Sequence, residues 1–294
     1  MTFMGNLCFF FTKIFMAIAM FFTGSLFFGE VTPNPVDPIA DGADIRVVTF
    51  NLRCTGTGDT SVAYRAPLMA AQLKEIGADS IGVQEANARW MTYLDKHLEN
   101  YDYVGVSRQN GGGFGEFSAI FYRSDKYKVI DSGTFWLSET PEKAGSKDWD
   151  SANIRICTWA VLENKSTGER YVHLNTHLDH VSSLARENQM KVLLTKVDEF
   201  IGKYPVVLTG DFNDYNDSAM YAEVTEVLKD SRLLAPVTTD KGTFHAYGER
   251  NPERMIDFIF VSDGVQPLVY HVIDDQVNGV YLSDHYGIYV DLKF

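Results

Sequence analysis

The chain has 294 residues, 45% of them hydrophobic and 13% aromatic, which excludes a disordered protein and suffices for one large domain with a buried core. Lys+Arg 26 against Asp+Glu 39 leaves a formal charge of -13. Such acidity argues against a broad grip on duplex nucleic acid, because it repels a phosphate backbone at long range, but it suits a bound cation or a small phosphorylated substrate.

The first 29 residues stand apart. From Cys8 to Phe28 they are almost wholly apolar, with Lys13 before an apolar core at Ile14–Phe22 and the small residues Thr23, Gly24 and Ser25 after it. The pattern reads as a signal peptide cleaved between Thr23 and Gly29, with a retained membrane anchor as the competing reading. Either way the remainder is expected outside the cytoplasm, periplasmic or secreted, with membrane contact only through such an anchor. Cys54 and Cys157 would remain, and two buried free thiols are expected over a bridge. Residues 30–44, with Pro33, Pro35 and Pro38 and no apolar period, read as a linker.

The catalytic domain is expected over 45–294. Ile45–Asn51 reads as a buried strand, and 61–78 as a helix closing at Gly77. Ser80–Glu85 is a short strand ending on a carboxylate, and a helix is expected around 87–99. Strand-like runs follow at 101–106, 117–122, 128–136, 154–163 and 170–176, the last two joined by a turn at Lys165–Gly168. Residues 182–202 read as an amphipathic helix with Leu184, Met190, Leu193, Leu194, Val197 and Ile201 on its apolar side. Pro205–Asp211 is another buried strand ending in an acid. A helix at 218–229 and strands at 256–262 and 288–293 complete the pattern. Mixed strands and helices, with hairpins as well as crossovers, predict an α/β (α+β) domain of two packed mixed β-sheets flanked by helices, a four-layer sandwich.

Apolar strands keep ending on polar residues: Asn51, Glu85, His177, Asp211 and, just beyond, Asn213. Strand ends at one edge of a layered α/β protein converge and carry sites. Each acid alone, including Asp257 and Asp284, could simply cap a turn. Together they are harder to dismiss, because burying an unpartnered carboxylate is costly. The Asp, Glu and Asn set, without a Cys/His cluster at zinc spacing, points to a hard cation, Mg²⁺ or Mn²⁺.

The motifs Thr49-Phe50-Asn51, Gln84-Glu85, Asn175-Thr176-His177-Leu178, Gly210-Asp211-Phe212-Asn213, Met255-Ile256-Asp257-Phe258 and Ser283-Asp284-His285 arrive in an order that resembles the endonuclease/exonuclease/phosphatase superfamily. The blocks Gly133–Ser138 and Arg155–Ala160 resemble bacterial members near its deadenylase/nocturnin branch. The resemblance implies a metal-dependent hydrolase that cleaves a phosphodiester or phosphomonoester by direct attack of water. It implies Glu85 as metal ligand, with Asn51 near the metal or phosphate and Asp284 completing the metal environment through water. Asp211 would orient or deprotonate the attacking water, and Asn213, from an extended segment, would hold a phosphate oxygen. His285, polarised by Asp257, would contact the phosphate; His177 would contact it or help protonate the leaving oxygen, oriented by Glu116.

This sequence departs from the superfamily pattern at Gly287, where a proline is common, and at Asp179, where relatives acting on nucleotides often carry a basic or glutamine residue. Arg155 either binds phosphate or pairs with a core acid, Arg186 reads as a salt-bridge partner, and His245 is a candidate for the pocket. Asn110–Gly115 is glycine-rich but lacks the Lys-Ser/Thr and helix of a phosphate loop.

The substrate is expected to be a phosphorylated small molecule or a nucleic acid, and no stable protein partner is indicated. An exported nuclease and a sphingomyelinase-like phosphodiesterase are the alternatives. A non-catalytic binding module of the same fold would have lost some of Glu85, Asp211, Asn213 or His285, and all are present.

Overall fold

A computed structural model describes residues 30–239 and 241–294. The apolar segment read as a signal peptide or anchor lies outside the described residues. Among the described residues no helix is long and apolar enough to cross a membrane.

In chain order the strands are β1 (Ile45–Asn51), β2 (Ser80–Asn87), β3 (Tyr101–Val104), β4 (Glu116–Arg123), β5 (Tyr127–Trp136), β6 (Ile156–Asn164), β7 (Arg170–His177), β8 (Val206–Asp211), β9 (Lys229–Asp230), β10 (Val237–Thr238), β11 (Asp257–Val261), β12 (Gln266–Ile273) and β13 (Gly287–Lys293). They form a seven-stranded sheet, ordered β10-β12-β13-β1-β2-β4-β3, and a six-stranded sheet, ordered β5-β6-β7-β8-β11-β9. Both sheets are mixed: β1 and β2 pair in parallel, as do β7 and β8, among antiparallel neighbours. The helices are α1 (Val62–Ile76), α2 (Ala88–His97), α3 (Ser183–Asp198), α4 (Ala219–Val227) and the short α5 (Ser231–Leu234).

Local chemistry sets the helix ends. The Ser61 hydroxyl accepts from Tyr64 N at the start of α1, and Gly77 closes it in the left-handed region at φ 62. The Asn87 side chain accepts from Arg89 N and Trp90 N to start α2. The centres of β1, β7 and β8 are buried on both faces; β1 and β8 read as largely apolar runs, whereas β7 alternates apolar residues with His173 and Asn175. Val47, Val290, Leu174 and Leu208 belong to one buried cluster, which Met190, Leu193 and Val197 of α3 join.

A polar seam also crosses that interior. His173 hydrogen-bonds Ser80 Oγ (2.9 Å) and Thr209 Oγ1 (2.8 Å). Asn175 Nδ2 donates to the Val83 and Ala119 carbonyls (both 2.9 Å), and its oxygen accepts from Gln84 Nε2 (2.6 Å) and Thr209 Oγ1 (3.0 Å). Gly82 is required here, since a Cβ would lie 2.3 Å from Thr209 Oγ1.

Four details differ from the sequence reading. Residues 34–44 contain no helix or strand, yet they are pinned to the domain. Arg46 binds Asp291 through Nε (2.6 Å) and Nη2 (2.8 Å) and also donates to the Asp37 and Pro38 carbonyls. Leu184 and Ile201 are 53% and 39% exposed, so the apolar stripe of α3 is narrower than expected, and the helix stops at Asp198. β12 was not anticipated: Pro267 breaks the alternation, and the strand accommodates it beside a bulge between Pro267 and Val269. Cys157 is buried as expected but Cys54 is only half-buried, and both are free.

Candidate active site

Register brings the predicted acids and histidines to one edge. His177 pairs with Asp211 across β7 and β8, and Asp257 pairs with Asp211 across β11 and β8, so three strand ends sit level. His177 Nε2 lies 3.5 Å from Asp211 Oδ2 and His285 Nε2 lies 3.9 Å from the same oxygen. His285 Nδ1 is 2.9 Å from Asp257 Oδ2, while Asp257 Oδ1 is buried without a hydrogen-bond partner.

The seven-stranded sheet contributes the other wall. In β2, Gln84 and Glu85 together face the single β4 residue Ser118, a bulge that breaks the alternation of the strand. Glu85 sits there at φ 54 and is re-aimed along the sheet edge, where its carboxylate accepts from Cys54 N (3.0 Å) and Asn51 Nδ2 (3.3 Å). Asn51 Nδ2 also donates to Asp211 Oδ2 (2.8 Å), so one amide clamps carboxylates from both sheets. Two carboxylates on one side require the NH₂ group there, which leaves the Asn51 oxygen for Arg53 N (2.9 Å). As placed, the Asn51 amide is an orienting donor that ties Glu85 to Asp211, beside the acids the resemblance assigns to the metal.

These groups line a cavity of about 590 Å³. Five arginines surround it, Arg53, Arg108, Arg155, Arg186 and Arg250, within a chain of charge -13. Sequence reasoning named only Arg155 and Arg186 among them, because the rest are scattered singly through loops. Arg53 is held between Glu85 Oε1 (3.9 Å) and Asp284 Oδ2 (3.4 Å), Arg108 binds Glu116 Oε1 (2.7 Å), and Arg186 binds Asp214 Oδ2 (2.8 Å). Arg53, Glu85 and Asn213 all line the cavity with positive φ (54, 54 and 50). Non-glycine residues in that region store strain of about 1–3 kcal/mol each, which is characteristic of working sites.

Several further expectations are corrected. Asn213 is left-handed and not extended; its amide NH₂ donates to the Leu178 carbonyl, and its backbone N–H to Asp211 Oδ1. Glu116 orients Arg108; no hydrogen bond joins it to His177. His245 does not line the cavity. It stacks on Tyr286 at 3.9 Å between centroids and accepts from Gly248 N, supporting the loop behind Asp284. Asp179 is fully buried and accepts from Val181 N and Ser182 N, so its carboxylate caps the turn into α3 and does not line the cavity. Gly287 stands where the Phe50 ring passes, and a Cβ would meet it at 2.4 Å.

Burial and neighbours set the charges. Burial raises the Asp211 pKa, and the Asp257 carboxylate raises it further. Burial would lower His285, but Asp257 and Asp211 overcome it and push the imidazole up to about 10. Burial, with Arg155 and Arg108 adjacent, drives His177 well below the usual range, which favours the neutral imidazole in the free protein. Burial would raise Glu85, yet the Cys54 N–H and the Arg53 charge hold it low.

Residues 48–285 match the endonuclease/exonuclease/phosphatase family. The chain belongs to that family. The endonuclease/exonuclease/phosphatase structure from Bacteroides vulgatus is 36% identical, with 85% of this chain and 98% of that one covered at a TM-score of 0.81. A Bacteroides thetaiotaomicron structure described as mannosyl-6-phosphatase is 34% identical, with 85% and 100% covered at a TM-score of 0.81. Nocturnin of Drosophila melanogaster is 25% identical over 230 residues, 68% of this chain and 34% of that protein. The chain thus spans about a third of the length of the curated relatives it matches. Family membership makes it a phosphoester hydrolase of a group that generally uses divalent metals.

Two donor sets compete for such an ion. Asp211, Asp257 and His285 place ligand atoms within 4.8 Å of one another, as do Cys54, Glu85 and Glu116. In the second set, burial and Glu85 push the Cys54 thiol up to about 12, so it stays protonated, and Glu116 is taken by Arg108. Glu85 and Asp284 nevertheless converge on one positive head, the Arg53 guanidinium, which is a fit for a hard cation among oxygen donors.

Proposed function

We propose that this protein is an exported, divalent-metal-dependent phosphatase that hydrolyses a small phosphorylated molecule, a phosphorylated sugar being the leading candidate. The observation that carries this reading is Asp211, raised by burial and placed between two imidazoles in an arginine-lined cavity. The 34%-identical relative described as mannosyl-6-phosphatase, covered over its whole length, supports the sugar.

In this reading Asp211 holds the attacking water and takes its proton as the water oxygen bonds to phosphorus. The ester P–O bond breaks, and the departing oxygen takes a proton from solvent. The charged His285, fixed by Asp257, and the neutral N–H of His177 bind non-bridging oxygens and stabilise the charge that builds on them. Asn51 keeps Asp211 and Glu85 in register across the two sheets. Glu85 and Asp284 would hold the cation, which supplies charge neutralisation at the phosphate and leaving oxygen.

Cleavage of RNA is a second reading, favoured by the curated relatives described as exoribonucleases. A screen with Mg²⁺ or Mn²⁺ against mannose 6-phosphate, bis-p-nitrophenyl phosphate, RNA oligomers, nucleotides and sphingomyelin separates them. The expected result is chelator-sensitive release of phosphate from the sugar ester. Turnover of RNA alone would replace the proposal with the second reading.

A further inference from the structure

Arg155 precedes β6, where its carbonyl accepts from Leu137 N (2.9 Å). Its side chain is only 3% exposed, and the nearest acid does not neutralise it fully. Asp179 Oδ2 stands 3.8 Å from Arg155 Nε, too far for a hydrogen bond, and that carboxylate is already satisfied. Its Oδ1 accepts from Val181 N and Ser182 N, and its Oδ2 from Ser151 Oγ and Asn153 N. Arg155 Nη2 contacts His180 Nδ1 at 3.2 Å, but Nε and Nη1 have no hydrogen-bond partner. A buried guanidinium with donors to spare is an expensive arrangement that a bound anion would repair.

Its surroundings say which anion. Arg155 lines the main cavity and also a recess of about 10 Å³ shared with Arg108, His177, Glu85 and Glu116, the last carboxylate being paired with Arg108. That recess admits about one unesterified oxygen, and any ester chain must lie in the main cavity. A phosphomonoester brings three unesterified oxygens and, at neutral pH, close to two charges, where a diester brings two oxygens and one charge. The forked N–H donors of arginine match two oxygens of one phosphate.

We propose that Arg155 is the specificity-determining residue of the cavity: it binds the doubly charged terminal phosphate of a monoester and selects it over a diester. The inference rests on the phosphatase reading above and assigns its choice of ester to one side chain.

The test uses the full chain with Mg²⁺ and compares wild type, Arg155→Met and Arg155→Lys. Calorimetry measures binding of inorganic phosphate and of dimethyl phosphate, and turnover is followed with p-nitrophenyl phosphate and bis-p-nitrophenyl phosphate. Wild type should prefer inorganic phosphate by at least about tenfold, and Arg155→Met should reduce that preference by about 10- to 100-fold. Lysine, lacking the fork, should restore only part of it. The melting temperature of Arg155→Met should hold or rise, because methionine removes a buried charge that Asp179 does not complete. Wild-type phosphate affinity in the lysine variant would overturn the inference and leave Arg155 structural, even if the methionine variant failed to fold. A wild type that favours the diester in binding and turnover would overturn it while leaving a phosphoester hydrolase. Intact phosphate preference without turnover of any ester would support the Arg155 assignment and remove the phosphatase reading.

Discussion

Two buried polar regions share the same strands and are built in opposite ways. Midway along β7 and β8, Ser80, His173, Asn175 and Thr209 form a seam of neutral groups that serve as one another's partners. At the ends of those strands His177 and Asp211 meet Asp257, His285 and Arg155, where charges are concentrated and atoms are left over. Only four positions on β7 separate His173 from His177. The seam, which leaves Gln84 Oε1 unpartnered, fixes how the sheets sit; the edge leaves Asp257 Oδ1 and Arg155 Nε and Nη1 unpartnered and adds charge, which is what a ligand needs.

The comparison breaks most sharply at Asp211. Asp211→Asn keeps the shape and removes the base, so turnover should fall by about 10²–10⁴-fold while the fold survives. A variant within tenfold of wild type would remove Asp211 from its role. The seam should respond in the opposite sense. Asn175→Leu strands two carbonyls and the Gln84 and Thr209 donors, which should cost about 3 kcal/mol or more in a urea titration. An unmoved midpoint would mean that the seam does not hold the sheets.

An effect of pH of comparable size tests the seam a second way. Burial holds the His173 pKa down to about 3, against about 6.5 in an unfolded chain. As pH falls below that unfolded value, the unfolded state takes the proton and the folded state does not. Stability from this group is therefore complete above about pH 6.5 and declines towards pH 3, with a limiting slope of about 1.4 kcal/mol per pH unit. His173→Gln should flatten that part of the acid limb, as read from urea midpoints between pH 7 and 4. An identical slope would assign the acid sensitivity to other groups.

The seam and the edge were not equally legible in the sequence. β1 and β8 announce themselves as largely apolar runs that end on Asn51 and Asp211, β7 ends on His177, and register then places His177 and Asp211 level. The seam gives no such signal, since His173 and Asn175 merely alternate with apolar neighbours along a strand. Arg53, Arg108 and Arg250 of the arginine ring were hidden because they stand singly in loops far apart in the chain. Asp179 misled because a polar residue beside a motif was taken to face the ligand, whereas its carboxylate caps the turn into α3. His245 misled similarly, being a stacking support for the loop after β10.

The bulge at Glu85 has a consequence for how a carboxylate can be delivered at all. A strand in strict alternation has two addresses, the interior between the sheets and the face covered by helices. Gln84 uses the first, reaching Asn175. Continued alternation would have sent the next side chain to the second, where an acid has no use. One left-handed residue opens a third direction, out along the rim, and it does so from the middle of a sheet without adding a loop. The rim therefore inherits the rigidity of a central strand, and the carboxylate is aimed by backbone phase rather than by the reach of a flexible side chain.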